Sequence, residues 1–148
     1  MRLTLFSDYA LRMLMFAAAR PGQSVTIGGV SEAYGVSRNH LMKVANLLAS
    51  AGYLETARGK GGGLRLARPA AEITVGAVLR LTEAGSPLVE CFGRDSGCVI
   101  EPACGLKHAL SDALQAFYAR LDRTTLADIT PNPGALNAIF EIREKLTA

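Results

Sequence analysis

TIGGVSEAYGVSRNHLMKVANLLASAG, residues 26–52, reads as helix, tight turn, helix. Thr26 is fit to cap a short first helix through VSEAY, because its hydroxyl can accept a bond from an N–H that the first turn leaves unpaired. Gly35 supplies the left-handed conformation that stops this helix at no steric cost. Ser37 then caps a second helix, RNHLMKVANLLASA, which ends before Gly52. Two helices joined by a three-residue turn containing glycine form the helix-turn-helix arrangement. Along the second helix Leu41, Val44, Ala45, Leu48 and Ala49 form one apolar stripe. Arg38, Asn39, His40 and Lys43 are left toward the opposite face or the N-terminal end. These side chains can contact phosphates and base edges, and a recognition helix presents its N-terminal residues to the major groove. Ser37, Arg38, Asn39 and His40 are therefore the expected base readers. Any amphipathic helix has a solvated polar face, so the neighbouring segments must decide.

They do. YLETAR (53–58) and LRLAR (64–68) are short strands of β-type residues joined by GKGGG (59–63), a basic glycine-rich hairpin of the kind that forms a wing. The loop glycines permit close backbone approaches, while Arg58, Lys60 and Arg65 supply charge for phosphates or the minor groove. A nucleotide-binding loop is the competing reading, but the phosphate-loop lysine pattern is absent and the segment that follows is a strand, not a helix. Upstream, SDYALRMLMFAAA (7–19) places Leu11, Leu14, Met15 and Ala18 at helical spacing behind Ser7 as a cap, and Pro21-Gly22 ends it. The expected fold is mainly α with a small β wing, a winged helix-turn-helix unit followed by a long dimerisation helix.

The chain of 148 residues is 49% apolar, enough for one domain or a small domain with a helical arm. No apolar run is long enough to span a membrane, so no membrane partner is expected. The formal charge of +3 divides unevenly at Pro69. Residues 1–69 carry 9 Lys/Arg against 3 Asp/Glu, and the remainder 7 against 10, which is +6 followed by −3. Such asymmetry points to a polyanion-binding half joined to a half with another task.

That second task centres on CFGRDSGCVIEPAC, residues 91–104, which holds all 3 cysteines of the chain. Three cysteines cannot all pair, and the N-terminus has no signal-peptide pattern, so reduced thiols in the cytoplasm are expected. Glycine, serine and proline make the segment a loop, and soft thiolates gathered on a loop suit zinc or an iron-sulfur cluster. Burial as small hydrophobes is the alternative, though a polar loop offers little core. Three thiolates leave a four-ligand cluster one short. A connecting helix is expected at about 74–83, within a linking segment 70–90. Beyond Cys104, GLKHALSDALQAFYARLDR places Leu106, Leu110, Ala113, Leu114, Phe117 and Leu121 at helical steps, widened by Ala109 and Ala116. This helix needs a partner, either the winged-helix core or the same helix of a second chain. A homodimer with two recognition helices matches a palindromic operator. Residues 105–148 are thus the expected dimerisation helix and tail; within the tail lie a short turn at TLADI and a last helix around ALNAIFEIREKL, to which no role is assigned.

FSDYALRML, YGVSRNHLMKV, RGKGGGLRLARP, the clustered cysteines and LADI together resemble the iron-sulfur-dependent winged-helix transcription repressors of the IscR/NsrR type, from Arg2 to about Ile129. The resemblance is greatest to the nitric-oxide-sensing members. It implies an iron-sulfur cluster, 4Fe-4S favoured and 2Fe-2S possible, bound by Cys91, Cys98 and Cys104. The fourth ligand it implies is Asp8 of the partner subunit. It also implies a repressor whose cluster-loaded dimer leaves double-stranded operator DNA when nitric oxide attacks. Read without the resemblance, Asp8 is an acid that favourably meets the dipole of its helix. His108 is the alternative ligand; members that regulate iron-sulfur assembly use a histidine three residues after the last cysteine, where this chain has Lys107. The six-residue gap between Cys91 and Cys98 exceeds the family's usual spacing. Besides a regulator of iron-sulfur assembly or a redox sensor, a zinc-stabilised DNA-binding protein remains a candidate. A metal-dependent hydrolase or lyase with Glu90, Asp95 or Glu101 as base leaves the basic helix and wing unexplained, so no enzyme is expected.

Overall fold

The computed structural model describes residues 2–57 and 62–147. The first helix, α1 (Leu5–Ala18), runs through the centre of the core and buries Ala10, Met13, Leu14, Phe16, Ala17 and Ala18. It starts three residues before the position expected from sequence with Ser7 as the cap. Thr4 is the cap, its hydroxyl accepting from the Ser7 amide at 3.2 Å. Ser7 lies inside the helix, fully buried, and its hydroxyl meets Thr82 at 2.7 Å and the Glu83 carboxylate.

The helix-turn-helix forms as its punctuation dictates. In α2 (Ile27–Tyr34) the Thr26 hydroxyl accepts from the Gly29 amide at 3.0 Å, and Gly35 stops the helix with φ of 66°. In α3 (Arg38–Ser50) Leu41, Val44, Ala45 and Leu48 are buried against the core. Strands β1 (Leu54–Ala57) and β2 (Gly63–Leu66) pair antiparallel, with Leu54 opposite Leu66 and Ala57 opposite Gly63. The wing is pinned to the chain ahead of α2 by reciprocal bonds between Val25 and Leu64, at 2.8 and 2.7 Å. Gly63 permits this approach: a Cβ there would stand 2.5 Å from the Val25 carbonyl oxygen.

Behind the wing, α4 (Val75–Thr82) buries Val75, Val78 and Leu79 under a Thr74 cap. The long α5 (Gly105–Leu121) runs along it, tied at its end by Arg80 and Asp122. No residue of α5 is buried within the single chain. Leu110, Leu114, Phe117 and Leu121 are half-buried, while Leu106, Ala109, Ala113 and Ala116 are exposed on another face. The chain then returns to the core through α6 (Leu126–Ile129), whose Leu126 amide donates to Ile73 at 2.7 Å. The last helix, α7 (Pro133–Thr147), lies over α2 and buries Phe140.

Glu83 joins the start of α1 to the end of α4: its Oε1 accepts from the Thr4 amide at 2.8 Å and the Thr4 hydroxyl at 2.9 Å, as well as from Ser7. Burial raises the Glu83 pKa, but the bonds from Ser7 and Thr4 outweigh it and hold the carboxyl below its ordinary value. Replacing Glu83 by alanine strands these donors, so denaturant unfolding at neutral pH should show a loss of about 1–3 kcal/mol. Because the folded pKa is depressed, Glu83 stabilises fully above the ordinary carboxylate range and loses that contribution as pH falls through the lower folded value. The gap between wild type and variant should therefore close in acid.

Candidate functional site

At the N-terminal end of α3, Ser37, Arg38, Asn39, His40 and Lys43 are all exposed. Ser37 occupies the cap position without a side-chain capping bond, a departure from the sequence expectation. Its backbone carbonyl takes the helical bond from Leu41 at 3.1 Å. Arg38 reaches back across the turn to Glu32 at 3.1 Å, with both side chains more than half exposed. Such a pair is weak and exchangeable. His40 stacks on Tyr9 of α1 with ring centres 6.3 Å apart. On the wing, Arg65 pairs with Glu55 at 2.6 Å across the strand register. Arg58 and Lys60 lie outside the described residues. Glu32, Glu55 and Tyr9 were not singled out from sequence; Glu55 becomes readable once the hairpin register sets it opposite Arg65.

After Glu83 ends α4, residues 84–90 lead into the cysteine loop. Two 3-10 turns shape it, Glu90–Phe92 and Glu101–Ala103. Cys91 sits in the first, Cys104 follows the second, and Cys104 is also the cap residue of α5. All three cysteines are free thiols and half-buried. Glu90 accepts from the Gly97 amide at 3.0 Å, drawing the loop together. Lys107, in the first turn of α5, pairs with Glu101. That bond is the chief reason the Lys107 pKa is raised, and the charges of nearby Cys91 and Cys104 add to it. Lys107, and then Ser96, hold the Glu101 carboxyl below its ordinary value. The two ends of the cysteine segment thus share the surroundings of one ammonium group.

Asp8 is half-buried in the first turn of α1. Arg12 grips it with both ends of its guanidinium, Nε at 2.9 Å from Oδ1 and a terminal nitrogen at 2.9 Å from Oδ2. His108 is exposed on α5. Among the described residues, no three His, Cys, Asp or Glu side chains converge to the spacing of a metal site: Cys91, Cys98 and Cys104 share a loop but do not close on one another, and neither Asp8 nor His108 joins them within one chain. A groove of about 950 Å³ runs between the start of α1, the root of the loop and α5, lined in part by Leu3, Thr4, Leu88, Phe92, Leu114 and Phe117.

Residues 3–132 match the Rrf2 family, described as iron-dependent transcriptional regulators. The chain belongs to the Rrf2 family. The HTH-type transcriptional regulator NsrR of Bacillus subtilis strain 168 is 46% identical over 146 residues, which is 97% of this chain and 100% of that protein. The crystal structure of oxidized CymR from Staphylococcus aureus superimposes with a TM-score of 0.70 at 25% identity, covering 89% of this chain and 98% of that one. IscR of T. potens shares the fold, with a TM-score of 0.69 at 24% identity over 88% of this chain and 87% of its own. Rrf2 proteins are DNA-binding regulators and not enzymes, which removes the hydrolase reading of Glu90, Asp95 and Glu101. No helix among the described residues is long and apolar enough to cross a membrane.

Proposed function

We propose that this Rrf2 regulator is a nitric-oxide-responsive repressor, a cytoplasmic homodimer on palindromic operator DNA. Its iron-sulfur cluster, 4Fe-4S in the favoured reading, is held by Cys91, Cys98 and Cys104 with Asp8 of the partner subunit as fourth ligand. His108 is the alternative to Asp8. Labour divides along the chain: 1–69 read DNA, 70–90 connect, 91–104 hold the cluster and 105–148 supply the dimerisation helix and tail. The observation that carries the reading is the confinement of all three free thiols to one loop whose root, Glu83, is bonded into the first turn of α1.

The donor chemistry suits such a group, although within one chain the three thiols do not converge to a metal site's spacing. Three soft thiols share one loop, and Cys104 heads α5, where the helix dipole favours negative charge. When bound, the cluster supplies iron that nitric oxide attacks. The residues of the chain carry the consequence to DNA. Glu83 links the loop root to Thr4 and Ser7, and Ser7 adjoins Asp8. Since α1 packs against α3, displacing its first turn moves the two recognition helices of a dimer off their common spacing. Metal analysis of protein purified without oxygen tests the ligand set: iron with acid-labile sulfide is expected, and zinc alone contradicts it.

DNA binding should weaken steeply with salt, because Arg38, Lys43, Arg58, Lys60 and Arg65 on two subunits displace counterions from phosphates. Lys60→Ala should weaken all sequences alike and lower the salt slope. Asn39→Ala should instead change the preference among sequences, by about 1–3 kcal/mol at the base pair it reads. Binding to duplex sets varied at single positions distinguishes the two; a reversed pattern would overturn these assignments.

A further inference from the structure

The match to the Rrf2 family ends at residue 132, and α7 begins at Pro133. This last helix lies against α2 and α1. Its buried Phe140 stands between them, 4.9 Å from the ring centre of Phe16 on α1 and 5.3 Å from that of Tyr34 on α2. The Arg20 guanidinium lies over the Phe16 ring at 3.8 Å and the Phe140 ring at 5.4 Å. Further along α7, an Arg143 nitrogen is 3.6 Å from where a Cβ on Gly35 would lie, so α7 reaches the turn itself.

α2 needs such support. It has 8 residues, includes Gly28 and Gly29, and buries only Val30 and Ala33. A helix this short, with two poor helix formers, does not hold its shape or seat without packing from outside. Its last residue, Tyr34, meets the Phe140 ring edge-on, and Gly35 and the recognition helix follow directly. We infer that α7 is a positioning helix for DNA recognition: Phe140 wedges α2 onto α1 and so fixes the turn from which α3 is presented. Phe140 lies outside the cysteine loop and outside the exposed residues assigned to DNA, so its effect on binding must pass through the helices it packs against, α2 and α1, which the exchange pattern tells apart.

The test uses the full chain and a duplex selected by the wild-type protein from a random-sequence pool. Phe140→Ala should lose amide hydrogen-exchange protection selectively at residues 30–34, keep it in α1 and α3, and lose about tenfold or more in affinity for the duplex. Phe140→Leu, which refills most of the space, should restore most of both, and iron content should not change. Affinity within twofold of wild type despite lost protection in α2 would overturn the inference. So would protection lost evenly through the core, which marks a merely structural residue. If Phe140→Ala does not fold, Leu136→Ala, at a half-buried position of α7, takes its place. If neither variant folds, α7 belongs to the global core and the inference fails.

Discussion

Cys98→Ser protein is expected to emerge from anaerobic purification colourless, without iron or sulfide, and unable to hold operator DNA. Two thiolates are too few strong ligands for a cluster, and carboxylate or imidazole supplements do not replace the third. The same holds for Cys91→Ser and Cys104→Ser. Asp8→Ala should behave differently. Three thiolates remain, so a visible but less stable cluster should form, while operator binding weakens before nitric oxide is added because the bond between subunits is gone. A heterodimer of Asp8→Ala with Cys98→Ser isolates the point. Its only complete cysteine set lies on the Asp8→Ala chain, which still faces an intact Asp8 on its partner. One normal cluster per heterodimer is expected. A spectrum identical to the Asp8→Ala homodimer would rule out ligation between subunits, and the same altered spectrum from His108→Ala alone would give the role to His108.

Ala113→Glu is expected to turn a dimer into a monomer. Within one chain Ala113 is exposed on α5, in line with Leu106, Ala109 and Ala116, so a glutamate there should change the stability of the folded monomer by no more than about 0.5 kcal/mol. Across a seam of two α5 helices the same carboxylate would be buried without a partner, at about 3–5 kcal/mol. That corresponds to roughly a hundredfold or more in the dissociation constant. Sedimentation should show monomer, and operator affinity should fall with the loss of the second recognition helix. A dimer that binds normally would place the seam elsewhere than this face.

The helix-turn-helix and wing were legible because their determinants are local. Thr26 caps over three residues, Gly35 sets its own backbone, and the stripe Leu41, Val44, Ala45, Leu48 repeats within one helix. Where the deciding contact was distant, sequence reading went astray or fell silent. Ser7 looks like a cap because it precedes an apolar run, yet its partner Glu83 is 76 residues away and Thr4 does the capping. Ser37 stands at the cap position but leaves its side chain out of the cap. The purpose of α7 was invisible because it depends on Phe140 meeting Phe16 and Tyr34, which lie at the other end of the chain. In the cysteine segment the three thiols were plain from composition alone, whereas the pairing of Lys107 with Glu101 requires the loop to close on α5. The role proposed for Asp8 is not readable from one chain, where Asp8 pairs with Arg12.

Whether one loop of cysteines governs DNA binding through a nitric-oxide-sensitive cluster is decided by a single titration. Protein purified without oxygen is mixed with its selected duplex, and nitric oxide is added stepwise while visible absorbance and DNA-bound fraction are followed together. Brown protein is expected, its absorbance bleaching over the same range of nitric oxide in which the duplex is released. Colourless protein that binds the duplex, or bleaching that leaves the duplex bound throughout, would contradict it.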